Sequence, residues 1–204
     1  MSDVSAALVR DLRDKTGAGM LDCKKALVES SGDIEKAVVF LREKGLAAAQ
    51  KKSARTASQG MVGSYIHAGG KIGVLIEVNC ETDFVARTPE FQELVKDLAM
   101  QVAAANPRFV RREEISADII EAERSIYRTQ AAGTGKPANV VEKIVDGKVE
   151  KFYADVCLLE QPFIKEAQKT VSQLVTDAIG RIGENIVVRR FARFQLGDAS
   201  EANA

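Results

Sequence analysis

Thr82-Asp83-Phe84-Val85 sets a hydroxyl, a carboxylate and an aromatic ring on neighbouring residues, just after the apolar run 72–78. These groups suit recognition better than bond-making. An exposed ring is unfavourable in water, and burying it in a partner's pocket recovers about 25 cal/mol per Å². Spacing alone leaves another fate open, in which Phe84 folds back as a staple of its own core. That is the commoner end for a loop aromatic beside a strand. Met20-Leu21 is the second candidate contact. Gly17 and Gly19 permit a tight turn that pushes this pair forward, and methionine suits adaptable apolar surfaces. The same two residues are equally readable as core at a helix start.

Bond-making chemistry finds less material. His67 is the only histidine, and no Ser or Cys partner stands ready for it to activate. The carboxylates are scattered rather than convergent. Residues 133–137, GTGKP, precede a helix but lack the GxxxxGK[ST] spacing of a phosphate loop. Cys23, Cys80 and Cys157 contain no CxxC pair, which argues against a disulfide framework or a zinc site. The expectation is a protein that is not an enzyme and has no cofactor or metal.

The elements that must position these groups fall into two parts. Three short helices are expected in residues 1–45. The first carries Val4, Leu8 and Leu12 on one face, with Ser2 or Asp3 as its cap and Gly17 as its end. The second runs over about 22–29 with Cys23, Ala26 and Leu27 inward. Asp33 caps the third, which buries Ile34, Ala37, Val38 and Leu41 and leaves at Gly45. So small a core is marginal by itself. Residues 46–59 read as a boundary, small, polar and basic, a frayed helix or a linker, with Lys51, Lys52 and Arg55 on a solvated face.

A core domain is expected over 60–196. A hairpin turns at residues 68–71, and its second strand has Ile72, Val74, Ile76 and Val78 on one face and Leu75 on the other, suggesting cover on both sides. Thr88-Pro89 starts a helix that buries Phe91, Leu94, Val95, Leu98 and Val102. Further helices start at Ser116 and Pro137, the latter closing at Gly147 with a short helix after it, and Thr170 caps a last one. Residues 185–196 alternate as a strand with Ile186, Val188, Phe194 and Leu196 on one side. Arg189, Phe191 and Arg193 lie on the other, and the arginines guard a sheet edge or line a rim. The tail 197–204 is expected to be disordered. The fold class is α+β: a small antiparallel sheet packed with helices, behind an N-terminal three-helix region.

Composition excludes other classes. The chain has 204 residues, 46% apolar, with 29 basic and 29 acidic side chains. A net charge of zero argues against a life on nucleic acid, where phosphate contacts favour surplus Lys and Arg. Early charges rule against a signal peptide, and no apolar run reaches the roughly 20 residues of a membrane helix. A cytoplasmic protein without nucleic-acid or membrane partners is expected.

Long ordered segments resemble one family. Residues 8–45, LVRDLRDKTGAGMLDCKKALVESSGDIEKAVVFLREKG, resemble the N-terminal domain of elongation factor Ts. Residues 70–88, GKIGVLIEVNCETDFVART, are similar to that family's core with its Thr82-Asp83-Phe84-Val85 signature, and residues 135–165 look like its later part. The likeness covers nearly the whole chain. Many members are longer, with two core subdomains and a coiled-coil insertion, whereas a single core here is similar to the short members. The resemblance implies a guanine-nucleotide exchange factor for elongation factor Tu with GDP, and a homodimer binding two copies of that partner. It implies that Phe84 and Asp83 wedge into the G domain and dislocate magnesium, with Thr82 and Val85 shaping the loop. Met20 and Leu21 would dock on another helix of the G domain.

Two other readings compete. A three-helix region with a Gly-Met turn resembles ubiquitin-associated domains, which bind through that turn. Such adaptors do not carry the Thr82 loop on an α+β core. An enzyme would need a titratable cluster that the sequence lacks.

Overall fold

The computed structural model describes residues 4–133 and 136–198. Helix α1 spans Ala6–Thr16, and its start corrects the expected cap. Ser5 caps it, its Oγ accepting from the Leu8 N–H at 3.2 Å, while Ser2 and Asp3 lie outside the described residues. Gly17 ends it at φ 67°, where a side chain would be strained. Helix α2 spans Met20–Glu29 and helix α3 spans Ile34–Lys52. Asp33 caps α3 as expected, accepting from the Lys36 N–H at 3.1 Å. The three helices bury Val9, Leu12, Cys23, Ala26, Leu27 and Ala37 together.

Gly45 does not end α3, which continues for seven residues to Lys52. A Cβ on Gly45 would meet nothing within 4 Å, and one on Gly180 would sit at ordinary contact distance, 3.5 Å, from the Gly45 Cα. The helix carries this one glycine in its interior, a modest propensity cost, rather than ending at it. The Lys52 ammonium also donates to the Ile179 carbonyl at 3.3 Å.

Strand β1 covers Gln59–Ile66 and β2 covers Ile72–Cys80. Their turn is the expected one: the His67 N–H donates to the Ile72 carbonyl at 2.9 Å, and Gly69 and Gly70 take positive φ. Gly60 is required by close approach, because a Cβ would overlap the Val78 carbonyl and lie 2.7 Å from the Asn79 Cα. Strand β5, Val187–Gln195, completes a sheet ordered β1-β2-β5, and its pairing with β2 runs antiparallel, with Arg190 on Glu77 and the Leu196 N–H on the Lys71 carbonyl. Val74, Ile76 and Val78 are buried, but Leu75 is 49% exposed, so β2 is covered on one face only.

The last strand also departs from simple alternation. Ile186 and Val188 are buried while Phe194 and Leu196 are exposed. Arg189 and Arg190 both face out, which shifts the phase between the two halves. Beyond the shift Arg193 turns in, donating to the Ala103 carbonyl at 3.3 Å.

Helix α4 is a single turn, Asp83–Ala86, and α5 spans Pro89–Ala105. The Phe91 N–H donates to Thr88 Oγ1 at 3.3 Å, and Phe91, Leu94, Val95, Leu98 and Val102 are buried as expected. Helices α6, Ala117–Ala132, and α7, Ala138–Val156, pair as an antiparallel hairpin. Gly147 does not close α7. Val145, Val149 and Phe152 on either side of it are buried, so packing overrides the helix-breaking tendency of one glycine. Arg112 fastens the base of this hairpin between Glu160 and Glu150, at 2.7 and 3.0 Å, with its guanidinium 4.4 Å above the Tyr153 ring. These contacts push its pKa up. A short β3–β4 ribbon, Pro162–Phe163 with Glu166–Thr170, was not legible in the sequence, and α8 follows at Val171–Ile182. The α+β class holds.

Two compact units gather these elements. One contains residues up to 62, 78–95 and 173–187; the other contains 63–77, 96–172 and from 188 onward. Residues 199–204, most of the tail expected to be disordered, lie outside the described residues, as do Thr134 and Gly135.

Candidate functional site

All the candidate residues belong to the first unit. After β2 the chain stays extended through Thr82, φ −127° and ψ 152°, then closes the single turn of α4. Thr82 Oγ1 accepts from the Val85 N–H at 3.3 Å, capping that turn. Thr88 closes the other end, its hydroxyl donating to the Val85 carbonyl at 2.8 Å. A turn held by two threonines splits its side chains cleanly. Val85 and Ala86 are buried and anchor it, whereas Phe84 stands 76% exposed. Asp83 is also exposed and pairs with Arg87 at 2.7 Å. An exposed pair one helical turn apart is worth little to stability, so this carboxylate is available to a competing partner.

The loop's base is held from a distant part of the chain. One oxygen of Glu184 accepts from the backbone N–H groups of Glu81 and Thr82, each at 3.0 Å, and the other accepts from the Thr82 hydroxyl at 2.7 Å. Glu81 answers in the opposite sense: its carboxylate accepts from the Asn185 N–H at 2.6 Å and faces Arg55 at 3.5 Å. The buried Asn185 amide donates to the Arg55 carbonyl at 2.8 Å. Cys80 adds a thiol donor to the Thr82 carbonyl at 3.1 Å. Burial, then the nearby Glu184 charge, pushes the Cys80 thiol's pKa up, which makes it inert.

Met20 and Leu21 open α2 from an extended Gly19, after the left-handed turn at Gly17. Neither is buried: Met20 is 41% exposed and Leu21 76%. Asp22 beside them is fixed by Lys44 at 2.5 Å. A Cβ on Gly17 would come within 2.9 Å of the Arg181 Cδ, so the turn is also packed from α8. Two exposed apolar projections on braced turns can bind an apolar surface; they cannot move a proton or a phosphoryl group.

The residues considered for other chemistry are otherwise engaged. His67 shares a 3.1 Å hydrogen bond with the Tyr65 hydroxyl. All three cysteines are buried and unpaired, and burial above all raises the Cys157 pKa to about 11. Among the described residues no cluster of three His, Cys, Asp or Glu side chains fits a metal ion, and no helix is long and apolar enough to cross a membrane.

Sequence reasoning missed Glu184, Glu81, Asn185 and Arg55. Except for Arg55 with Glu81, 26 positions apart, their partners lie more than a hundred residues away, and no local pattern flags a carboxylate in a helix-to-strand turn. The one available signal was Gly183, whose φ of 90° lets the chain leave α8 and fold back on the loop.

Residues 28–178 match the family described as Elongation factor TS. A protein named Elongation factor Ts from Desulforamulus reducens is 61% identical over 98% of this chain and 93% of its own length. Another of that name, from Koribacter versatilis, is 62% identical over 99% of this chain and 92% of its own. A third, from Caldanaerobacter subterraneus, is 57% identical, with 97% of this chain and 99% of its own length covered. With a family match across most of its length and relatives this close from end to end, the chain belongs to the elongation factor Ts family.

Proposed function

We propose that this protein is a guanine-nucleotide exchange factor that makes elongation factor Tu release GDP. The observation that carries the reading is Phe84: an aromatic ring left in water on a turn capped at both ends by threonine hydroxyls. Exchange needs differential affinity. The factor must bind the emptied G protein better than the GDP-filled one, and GDP must weaken its binding by the same ratio. A ring that inserts where bound nucleotide and magnesium hold the pocket closed has that property. Phe84 is the wedge, and Asp83 exchanges Arg87 for a partner group beside the magnesium site. Thr82 and Val85 hold the turn's shape. Met20 and Leu21 dock the three helices on a second apolar surface of the G domain and retain the partner while the wedge acts. No covalent bond changes, so the protein is no enzyme and needs no cofactor, and the cytoplasm is where translation places it.

The protein works as a homodimer that binds two copies of elongation factor Tu. Support comes from the outer face of the sheet, where Ile66, Leu75, Phe194 and Leu196 are all exposed. Glu77 and Arg190, paired at 2.7 Å, lie on the same face. A second copy covers these apolar groups best, since an uncovered patch of this kind is a liability in a monomer. Light scattering reads the mass directly.

The test of exchange is release of a fluorescent GDP from loaded elongation factor Tu. Catalytic amounts of the protein accelerate release many-fold; an unchanged rate ends the proposal.

A further inference from the structure

We infer that Glu184 is the positioning residue of the exchange loop, setting the Phe84 turn through a crossed pair of carboxylate–backbone clasps with Glu81. This rests on the exchange reading of that loop. Two carboxylates reach past each other across the junction between β2 and α4. Glu184 takes the N–H groups of Glu81 and Thr82, and Glu81 takes the N–H of Asn185. Each strand of chain thus holds the other by a charge-assisted bond, the stronger kind. A clasp made this way resists sliding in both directions.

Its third bond sets the direction of the wedge. The Thr82 hydroxyl has one proton. Donating it to Glu184 at 2.7 Å aims a lone pair at the Val85 N–H, which is the bond that caps α4. Glu184 therefore decides whether Thr82 can cap the turn, and the cap decides where Phe84 points. Glu184 touches neither Phe84 nor Asp83 by any of these bonds; it acts through Thr82. Arg55, from the stretch after α3, and Asn185, from the turn after α8, complete the frame: the Asn185 amide holds the Arg55 carbonyl and Arg55 faces Glu81.

The consequence is specific. Without the clasp the loop spends only a fraction of its time in the wedge geometry, and a binding-competent fraction scales the action of the loop directly. Docking through Met20 and Leu21 does not depend on that fraction. Loss of Glu184 therefore lowers the GDP release rate at saturating factor while leaving the half-saturating concentration nearly unchanged.

The experiment compares Glu184→Ala, Glu184→Asp and Glu184→Gln with the wild type in fluorescent-GDP release, alongside amide hydrogen exchange of the free full-length chain. Ala removes all three bonds, and Asp withdraws the carboxylate by one methylene. Both are expected to reduce the saturating rate about tenfold or more, with half-saturation moved less than threefold. In both, the Glu81 and Thr82 amides exchange faster while those of α1 to α3 do not change. Gln keeps the length and an oxygen acceptor for both N–H groups but turns an NH2 toward the Thr82 hydroxyl, so it loses the third bond and is expected to fall between wild type and Ala. Should Glu184→Ala fail to fold, Glu184→Asp carries the same reading with charge retained. Wild-type saturating rates in both Ala and Asp overturn the inference, as do unchanged exchange rates of the Glu81 and Thr82 amides in both. If the wild type itself leaves GDP release unchanged, the exchange reading falls instead, and the amide exchange still reports whether the clasp holds the loop.

Discussion

Replacing Phe84 by alanine separates a wedge from a structural ring. The free protein holds this side chain 76% exposed, so truncation removes almost no packing, and surface changes of that kind stay within about 0.5 kcal/mol. The partner complex is different. An aromatic side chain of roughly 150–250 Å², exposed to this degree, offers about 115–190 Å² still to be covered. At about 25 cal/mol per Å² full coverage contributes about 3–5 kcal/mol, and the β-carbon kept by alanine reduces the loss to about 2–4 kcal/mol. That is a fall of roughly 30- to 700-fold in catalysed GDP release, since each 1.4 kcal/mol is tenfold. The assay is fluorescent-GDP release across a range of factor concentrations, with a urea melt of the free variant beside it. If the ring binds only the emptied partner, the saturating rate falls. If it binds filled and emptied states equally, only the half-saturating concentration rises, because uniform binding shifts no equilibrium. A variant that exchanges within threefold of wild type, or one whose slow exchange is matched by an unfolding midpoint well below wild type, refutes the wedge.

On the proposed docking role, Leu21→Ala at this exposed residue is expected to raise the half-saturating concentration about tenfold with the saturating rate and the urea midpoint unchanged; titration of the partner checks it. Gly147→Ala is expected to stabilise the protein by about 0.5–1 kcal/mol in denaturant melts, because the site is helical and a Cβ there meets nothing within 4 Å. Asp33 predicts a pH effect. Its hydrogen bond from the Lys36 N–H above all holds the carboxyl's pKa below the ordinary value of 3.8. A carboxylate with a depressed folded pKa contributes stability that is complete above the unfolded pKa and lost as pH falls through the folded one. Asp33→Asn, which keeps a capping oxygen but no charge, should flatten the loss of stability below about pH 4, read from thermal midpoints between pH 2 and pH 7.

Local signals were legible wherever the physics was local. The caps at Asp33 and Thr88 and the Gly69-Gly70 turn each depend on residues within five positions, and each stands where the pattern put it. Glycine was misread twice for one reason. Gly45 and Gly147 look like stops, because an isolated helix would pay to keep them. Gly45 lies inside a helix that runs on to Lys52, whose ammonium bonds the Ile179 carbonyl 127 positions away, and Gly147 lies between the buried Val145 and Val149. Strand β5 failed differently: alternation was assumed to persist, and two successive outward arginines broke its phase.

The candidate site divides along the same line. The groups that would touch a partner were visible because they are apolar and sit beside turn-formers. Phe84, Leu21 and Met20 need only their own exposure to be recognised, although spacing could not choose between a staple and a wedge. The groups that hold them were invisible because they are ordinary carboxylates with distant backbone partners. A wedge that opens a tightly closed G protein must not yield first, so its base needs stiffness that a four-residue turn cannot supply. A single turn has no complete ladder of its own. The stiffness therefore has to come from elsewhere in the chain, and here it comes from the residues that follow Gly183. Any substitution that spoils the left-handed turn at Gly183 should act on exchange through Glu184, without touching the ring or its partner.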